Sequence, residues 1–381
     1  MKKIPLLKRV YVHPAGLTKN VTFLVSVVIF IMGSLSLYSC NQDSIFFQIE
    51  SEPELKEAKI KGSPTGIVEF GGKLYVGSDK IWGYDGSAWA STNPVSGKKV
   101  LGLAATTTYL YALIDAGPNL PSAQLYRKNA ASADWKLVHT GALNSIFGAG
   151  DTLFAGAGDT VYYIQDAPSV PSPLPSIALS DDPPTYDNRG VLLGAAYFNG
   201  NYFISIQSKG VFCANTPTSL GSTAIAGSKD AGNFTGFIVI PDGSSNVLIM
   251  VSTTGTFCKI TGTSPAIDDT NKWAYSFGFN GAIALYTKDS NQYLLFGLSG
   301  SSYGYLELEV PSLLAFTADT KPQGPTISVK DVNTYNASLG THPVTSLYQA
   351  PNTIDSTMPI FASTSLDGLW SCRDGEWNLE E

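Results

Sequence analysis

Gly66-Ile67-Val68-Glu69-Phe70, Gly71-Gly72 and Lys73-Leu74-Tyr75-Val76-Gly77-Ser78, followed by Lys80-Ile81-Trp82-Gly83-Tyr84, Asp85-Gly86 and Ser87-Ala88-Trp89, form the stretch that decides the architecture. Apolar runs of strand length are separated by Gly-Gly and Asp-Gly, dipeptides that accept the positive φ of tight hairpin turns. Four short antiparallel strands in succession are therefore predicted within about two dozen residues.

The middle hairpin of this unit recurs along the chain. Tyr109-Leu110-Tyr111-Ala112 is expected to pair with Gln124-Leu125-Tyr126, and Leu153-Phe154-Ala155-Gly156 with Val161-Tyr162-Tyr163. Tyr202-Phe203-Ile204-Ser205 has its partner in Gly210-Val211-Phe212, and Val247-Leu248-Ile249-Met250 in Gly255-Thr256-Phe257. Tyr293-Leu294-Leu295-Phe296-Gly297 matches Tyr303-Gly304-Tyr305-Leu306, and Pro359-Ile360-Phe361-Ala362 matches Gly368-Leu369-Trp370. With the first unit that makes seven copies. A repeat of roughly 40–50 residues with four strands each predicts an all-β fold, a seven-bladed β-propeller of four-stranded antiparallel blades. Solenoid repeats are shorter or helical, and a sandwich has no reason to repeat one motif seven times.

Leu74-Tyr75-Val76-Gly77-Ser78, Ile81-Trp82-Gly83-Tyr84-Asp85-Gly86 and Trp89 resemble the repeat of bacterial sensor-regulator propellers, and Phe361-Ala362-Ser363, Gly368-Leu369-Trp370-Ser371, Asp374-Gly375 and Trp377 echo it. That resemblance implies a propeller. No kinase or effector pattern follows the last copy, so it does not carry a signalling role with it. The tryptophans read as structure: Trp82 and Trp370 fall on third strands, and Trp89, Trp135, Trp273 and Trp377 on outer fourth strands, each packing against a neighbouring blade.

Composition agrees. Only 14% of the 381 residues are charged, with 37 Gly and 22 Pro and 11% aromatics, which excludes disorder and long-helix architectures. Residues 1–20 are basic, Val21–Met32 is apolar, and Gly33–Ser39 is rich in small residues, the order of a secretory signal. Leu37, Ser39 and Cys40 resemble the bacterial lipobox, with Tyr38 where a small residue is usual. The resemblance implies cleavage before Cys40 and acylation of its thiol and new amino group. Each buried CH₂ contributes about 0.8 kcal/mol, so several acyl chains give a firm membrane anchor. The competing expectation is an uncleaved span over residues 21–38. The predicted organisation is a signal peptide over 1–39, a polar, acidic tether over 40–62 and the propeller over 63–381. The location expected is the bacterial cell envelope, on the extracytoplasmic side of a membrane. Without its leader the chain has 19 basic against 31 acidic residues, a net charge of −12, so nucleic acid is not an expected partner.

Cys213 and Cys258 occupy the same repeat position in adjacent blades, where Cα atoms sit too far apart to bridge; with Cys372 they are expected as buried free thiols. The three histidines, His13, His139 and His342, are scattered and suggest no metal centre. The best calcium candidate is the loop carrying Asp181, Asp182, Asp187 and Asn188, although its spacing matches no calcium loop. No cofactor is called for.

Catalytic patterns are scarce. The three arginines of the mature chain, Arg127, Arg189 and Arg373, each read as lying beside a turn, not on an inner strand. Ser365–Trp370 resembles an Asp-box with its glycine one place early, and no Gly-x-Ser-x-Gly or His-Glu-x-x-His occurs. The first strands, Leu101–Ala104, Leu193–Ala196 and Gly281–Ala284, are built from Gly, Ala and aliphatics, leaving little acid or base for a central funnel. Three long segments, Asp115–Ser122, Asp166–Gly190 and Thr320–Pro343, are assigned as second-to-third-strand or blade-to-blade links, which open on one face. The leading expectation is therefore a non-enzymatic, membrane-anchored module that binds a protein or glycan through that face, with Asn119, Tyr186, Tyr335 and His342 as contact candidates. The alternatives are a carbohydrate-active propeller enzyme with funnel carboxylates, and an extracytoplasmic sensor domain for a separate membrane partner.

Overall fold

The computed structural model describes residues 59–380 except 93, 96, 118–121, 133, 180–189, 222–223, 243–244, 263–264, 269, 289–290, 300–303, 311–313, 315–338, 340–342, 366 and 374–375. It is a seven-bladed propeller with each blade contiguous in sequence. Blade 1 is β1 (Val68–Phe70), β2 (Lys73–Gly77), β3 (Ile81–Tyr84) and β4 (Trp89–Ser91). Blade 2 is β5 (Val100–Ala105), β6 (Tyr109–Asp115), β7 (Ala123–Asn129) and β8 (Lys136–Gly141), and blade 3 is β9 (Ser145–Ala149), β10 (Thr152–Ala157), β11 (Thr160–Gln165) and β12 (Ser176–Ile177). Blade 4 holds β13 (Leu192–Phe198), β14 (Asn201–Ile206) and β15 (Gly210–Ala214), with a Phe212–Ala224 bridge where a fourth strand would run. Blade 5 is β16 (Phe234–Asp242), β17 (Ser245–Ser252), β18 (Thr256–Ile260) and β19 (Lys272–Ala274). Blade 6 is described over β20 (Phe279–Lys288), β21 (Asn291–Leu298) and β22 (Tyr305–Glu309). Blade 7 is β23 (Val344–Gln349), β24 (Ile360–Thr364), β25 (Leu369–Arg373) and β26 (Glu376–Leu379).

The predicted hairpins are present in register: Val76 faces Trp82, Ala112 faces Tyr126, Gly156 faces Val161, Ile204 faces Phe212, Met250 faces Cys258, Gly297 faces Tyr305 and Ala362 faces Trp370. Gly71 and Gly72 take φ of 58° and 74°, the conformation their tight turn requires. Seven apolar clusters fill the seams between blades, one per seam. The aromatics anchor them: Trp89 meets Phe361 of blade 7 at 5.4 Å between ring centroids, and Trp377 meets Tyr305 of blade 6 at 5.7 Å. A ring removed from water over roughly 150–250 Å² contributes a gross gain of about 4–6 kcal/mol.

The ring closes between blades 7 and 1 without a shared strand. Instead, the backbone of Lys59–Gly62 bonds to the last blade through Lys59 N–H to Glu380 O at 2.8 Å, Leu369 N–H to Ile60 O at 3.1 Å and Gly368 N–H to Gly62 O at 2.9 Å, while Ile60 is fully buried in that seam. These residues lie at the end of the stretch read as tether.

Several expectations need correction. Residues 166–190 are not one blade-to-blade link, because Ser176–Ile177 pairs with Val161 and Tyr162 as the fourth strand of blade 3. The part before it therefore opens on the opposite face. Arg127 is not beside a turn: it lies within β7, buried, over the Tyr109 ring at 4.1 Å. Trp135 precedes β8 and does not lie in it. Cys213, Cys258 and Cys372 form no disulfide, and although all three lie on third strands only Cys258 is buried, while Cys213 and Cys372 are half-buried.

Candidate functional site: the central funnel

The seven first strands enclose an axial funnel of about 770 Å³. Small residues are needed there for a reason beyond acid–base chemistry. A side chain at Gly148 would place its Cβ 1.9 Å from the Ala105 carbonyl oxygen, at Gly236 2.9 Å from that of Gly281, and at Gly194 2.7 Å from the Phe237 ring. Inner strands converge on the axis, and backbone of one blade touches backbone of the next.

The strands also share a local distortion. Register shifts between Val100 and Gly102, Leu192 and Gly194, Phe234 and Gly236, Phe279 and Ile283, and Val344 and Ser346 mark a β-bulge in five of the seven first strands. A bulge leaves one residue unpaired and re-aims it. Here Leu101, Leu193, Thr235, Asn280 and Thr345, the residues at or opening the shifts, all line the funnel. Each stands just before a small residue, Gly102, Gly194, Gly236, Gly281 or Ser346. That column was readable in the repeat, but hydroxyl and amide residues there carried no signal without the bulge.

The polar end of the funnel lies where the first strands begin. Several of its groups stitch strands together. Asn280 Nδ2 donates to Val344 O of the next blade and to Leu298 O at 3.2 Å, and its Oδ1 accepts from Ala282 N–H at 3.1 Å. Ser346 Oγ accepts from Ile67 N–H at 3.0 Å across the closing seam, and Ser145 Oγ donates to Leu192 O at 3.3 Å. Thr235 Oγ1 is buried, with no hydrogen-bond partner among the described residues.

At the other end, Tyr348 OH donates to Glu69 Oε2 at 2.5 Å. Burial, then this carboxylate, pushes the Tyr348 phenol up, keeping it protonated as a donor. Among the described residues Glu69 is the single charged side chain of the lining, where a glycosidase uses a pair of carboxylates roughly 5–10 Å apart.

Cys40 and the candidates Asn119, Tyr186, Tyr335 and His342 lie outside the described residues, as do Asp181, Asp182 and Asp187 of the calcium loop. Among the described residues no group of three or more His, Cys, Asp or Glu is arranged to hold a metal ion.

A family model for the TP013X lipoprotein family matches residues 14–315, covering the later part of the leader and most of the propeller. The chain belongs to the TP013X lipoprotein family. Membership makes it a lipoprotein of the cell envelope and fits the basic–apolar–Cys40 leader. An uncharacterized lipoprotein of Treponema pallidum (strain Nichols) is 34% identical over 91 residues, which cover 23% of this chain and 23% of that protein. Among solved structures, the extracellular domain of the putative hybrid two component system BT4673 from B. thetaiotaomicron superposes with a TM-score of 0.51 at 14% identity, over 81% of this chain and 38% of that one. The β-propeller domain of Myceliophteria_thermophila Cps50 (Swd1) superposes with a TM-score of 0.54 at 10% identity, over 83% and 97%. At these identities the likeness is one of fold.

Proposed function

We propose that this TP013X lipoprotein is a non-enzymatic binding module, anchored through acylated Cys40 on the extracytoplasmic side of a membrane, and that it takes the end of a neutral glycan into its funnel. The observation that supports this reading is the lining itself: hydroxyls and amides at one end, aliphatic and aromatic walls, and one carboxylate already engaged by Tyr348. About 770 Å³ falls within the roughly 300–1,000 Å³ of small-ligand sites. Such a surface supplies hydrogen bonds and apolar contact, whereas an enzyme needs converging ionisable groups with displaced pKa values. Leu101, 41% exposed on the funnel wall, reports on occupancy. Leu101→Arg fills the funnel without touching a seam. On an array of neutral and charged oligosaccharides, the detergent-solubilised full chain should retain a neutral ligand that L101R binds at least tenfold more weakly with unchanged melting. Equal binding by L101R, or turnover of the retained sugar, refutes this reading.

Sensing for a separate membrane partner is the second reading. It is supported by the blade motif around Trp82 and by the likeness to the BT4673 extracellular domain. It shares the funnel as the ligand site and adds a partner.

A further inference from the structure

On the face opposite the funnel's polar end, a second cavity of about 370 Å³ opens between blades 1 and 2. It is framed by the β1–β2 turn at Gly71, the β3–β4 turn at Asp85 and the β7–β8 turn at Ala130–Ser132. Lys128 forms part of its wall. Consecutive residues of a strand point to opposite faces, so Arg127 enters the seam with blade 3 and Lys128 the seam with blade 1. Lys128 is only 9% exposed.

Among the described residues its ammonium makes one hydrogen bond, from Nζ to Tyr75 OH at 3.2 Å, although it carries three donors. The rings of Tyr75 and Trp135 lie 4.6 and 5.1 Å from Nζ, which offsets part of the cost of burying the charge. Among the described residues no carboxylate pairs with it. A buried cation without a counter-charge is costly, and the structure places a second ammonium, Lys73, on the same cavity. Burial, followed by the charge of Lys73, pulls the Lys128 amine below its ordinary value. Asp85 also lines the cavity, its Oδ1 accepting from Ser87 N–H at 3.1 Å, Ser87 Oγ at 2.8 Å and Ala88 N–H at 3.3 Å and its charge interacting with Lys73, so the described lining sets two ammoniums against one carboxylate. Ser91, Thr92 and Ser132 add hydroxyls to the lining.

We infer that this cavity binds a small organic oxyanion, whose negative oxygen takes the two unused donors of Lys128 while Lys73 holds the rim. The Ser and Thr hydroxyls suit a ligand that carries its own hydroxyls, as a sugar acid does. This site is independent of the funnel and does not rest on the neutral-glycan reading.

The test uses the full chain with four probes: inorganic phosphate, acetate, glucuronate and uncharged glucose. Calorimetry should show saturable binding of glucuronate, while any heat from glucose, a neutral ligand for the funnel, should be the same with and without Lys128→Met. Lys128→Met should weaken glucuronate roughly ten- to a hundredfold, the loss expected for a hydrogen bond to a charged group, while exposed Lys136→Met leaves it unchanged. In the unmutated chain, saturating glucuronate should slow acetylation of Lys128 by acetic anhydride at least fivefold and leave Lys136 unaffected. This arm decides even where K128M fails to fold. Equal binding of phosphate and acetate alone, by wild type and K128M alike, marks a non-specific charge effect and overturns the proposal. So does Lys128 labelling that saturating glucuronate leaves unchanged.

Discussion

The seam between blades 7 and 1 shares no strand, so beside the backbone bonds of Lys59–Gly62 it relies on side chains, and Asp355 is where those side chains meet. Its Oδ2 accepts from Tyr84 OH at 2.5 Å and Arg373 Nη1 at 3.1 Å, and its Oδ1 from Thr357 Oγ1 at 2.7 Å and Thr357 N–H at 2.9 Å. Arg373 also donates from Nη2 to Tyr84 OH at 3.2 Å and lies 3.6 Å from Glu380, which accepts from Trp89 Nε1 at 3.1 Å. Burial opposes ionisation of Asp355, but the bonds from Tyr84, Thr357 and Arg373 outweigh it and hold the carboxyl at about 2, against an ordinary 3.8. At about 1.36 kcal/mol per pKa unit this is a stabilisation of roughly 2 kcal/mol, trimmed somewhat because Arg373 is 38% exposed and screened by solvent. A depressed carboxylate stabilises fully above its unfolded pKa and ceases to do so as pH falls through its folded one. Asp355→Asn should therefore lose about 1–2 kcal/mol at pH 7 in urea unfolding followed by tryptophan fluorescence. That deficit should shrink steadily between about pH 4 and pH 2, since the wild type loses the same contribution there. A deficit below about 0.5 kcal/mol at neutral pH, or one unchanged at pH 2.5, refutes the claim that this charge stabilises the closing seam.

Two further outcomes follow from the axis and the leader. Gly148→Ala should cost about 3 kcal/mol, because its Cβ would meet the Ala105 carbonyl, which no rotamer change can move; Gly66→Ala, with open space around its Cβ, should stay within about 0.5 kcal/mol, and equal melting of the two variants refutes the close-approach argument. Mass spectrometry of the chain extracted from membranes should find the N-terminus at Cys40 carrying acyl groups, and Cys40→Ser should remain unprocessed; a wild-type chain that begins at Met1 without lipid overturns the anchor.

What the sequence reveals here is what the blades have in common. Gly71-Gly72 and Asp85-Gly86 announce their hairpins because positive φ restricts the residues that can stand there. The alternation around Val76 and Trp82 fixes the register because a slip of one residue would turn buried side chains outward. Seven repetitions turn these local signals into a ring. The fourth strand of blade 3 escaped because Ser176–Ile177 is too short to show alternation. The bulges escaped because an extra residue in one strand is visible only against its partner. The closing network was beyond reach for a different reason: Asp355 and Arg373 stand 271 and 289 residues from Tyr84, and each of the three occurs in one blade only. Lys128 shows the same logic. In a strand that reads as half-exposed, a lysine is expected in water, yet packing the outer edge of blade 2 against blade 1 encloses it. A repeat signals its scaffold by repeating, whereas the groups able to bind something are those that break the repeat, and only the three-dimensional ring shows where the breaks converge.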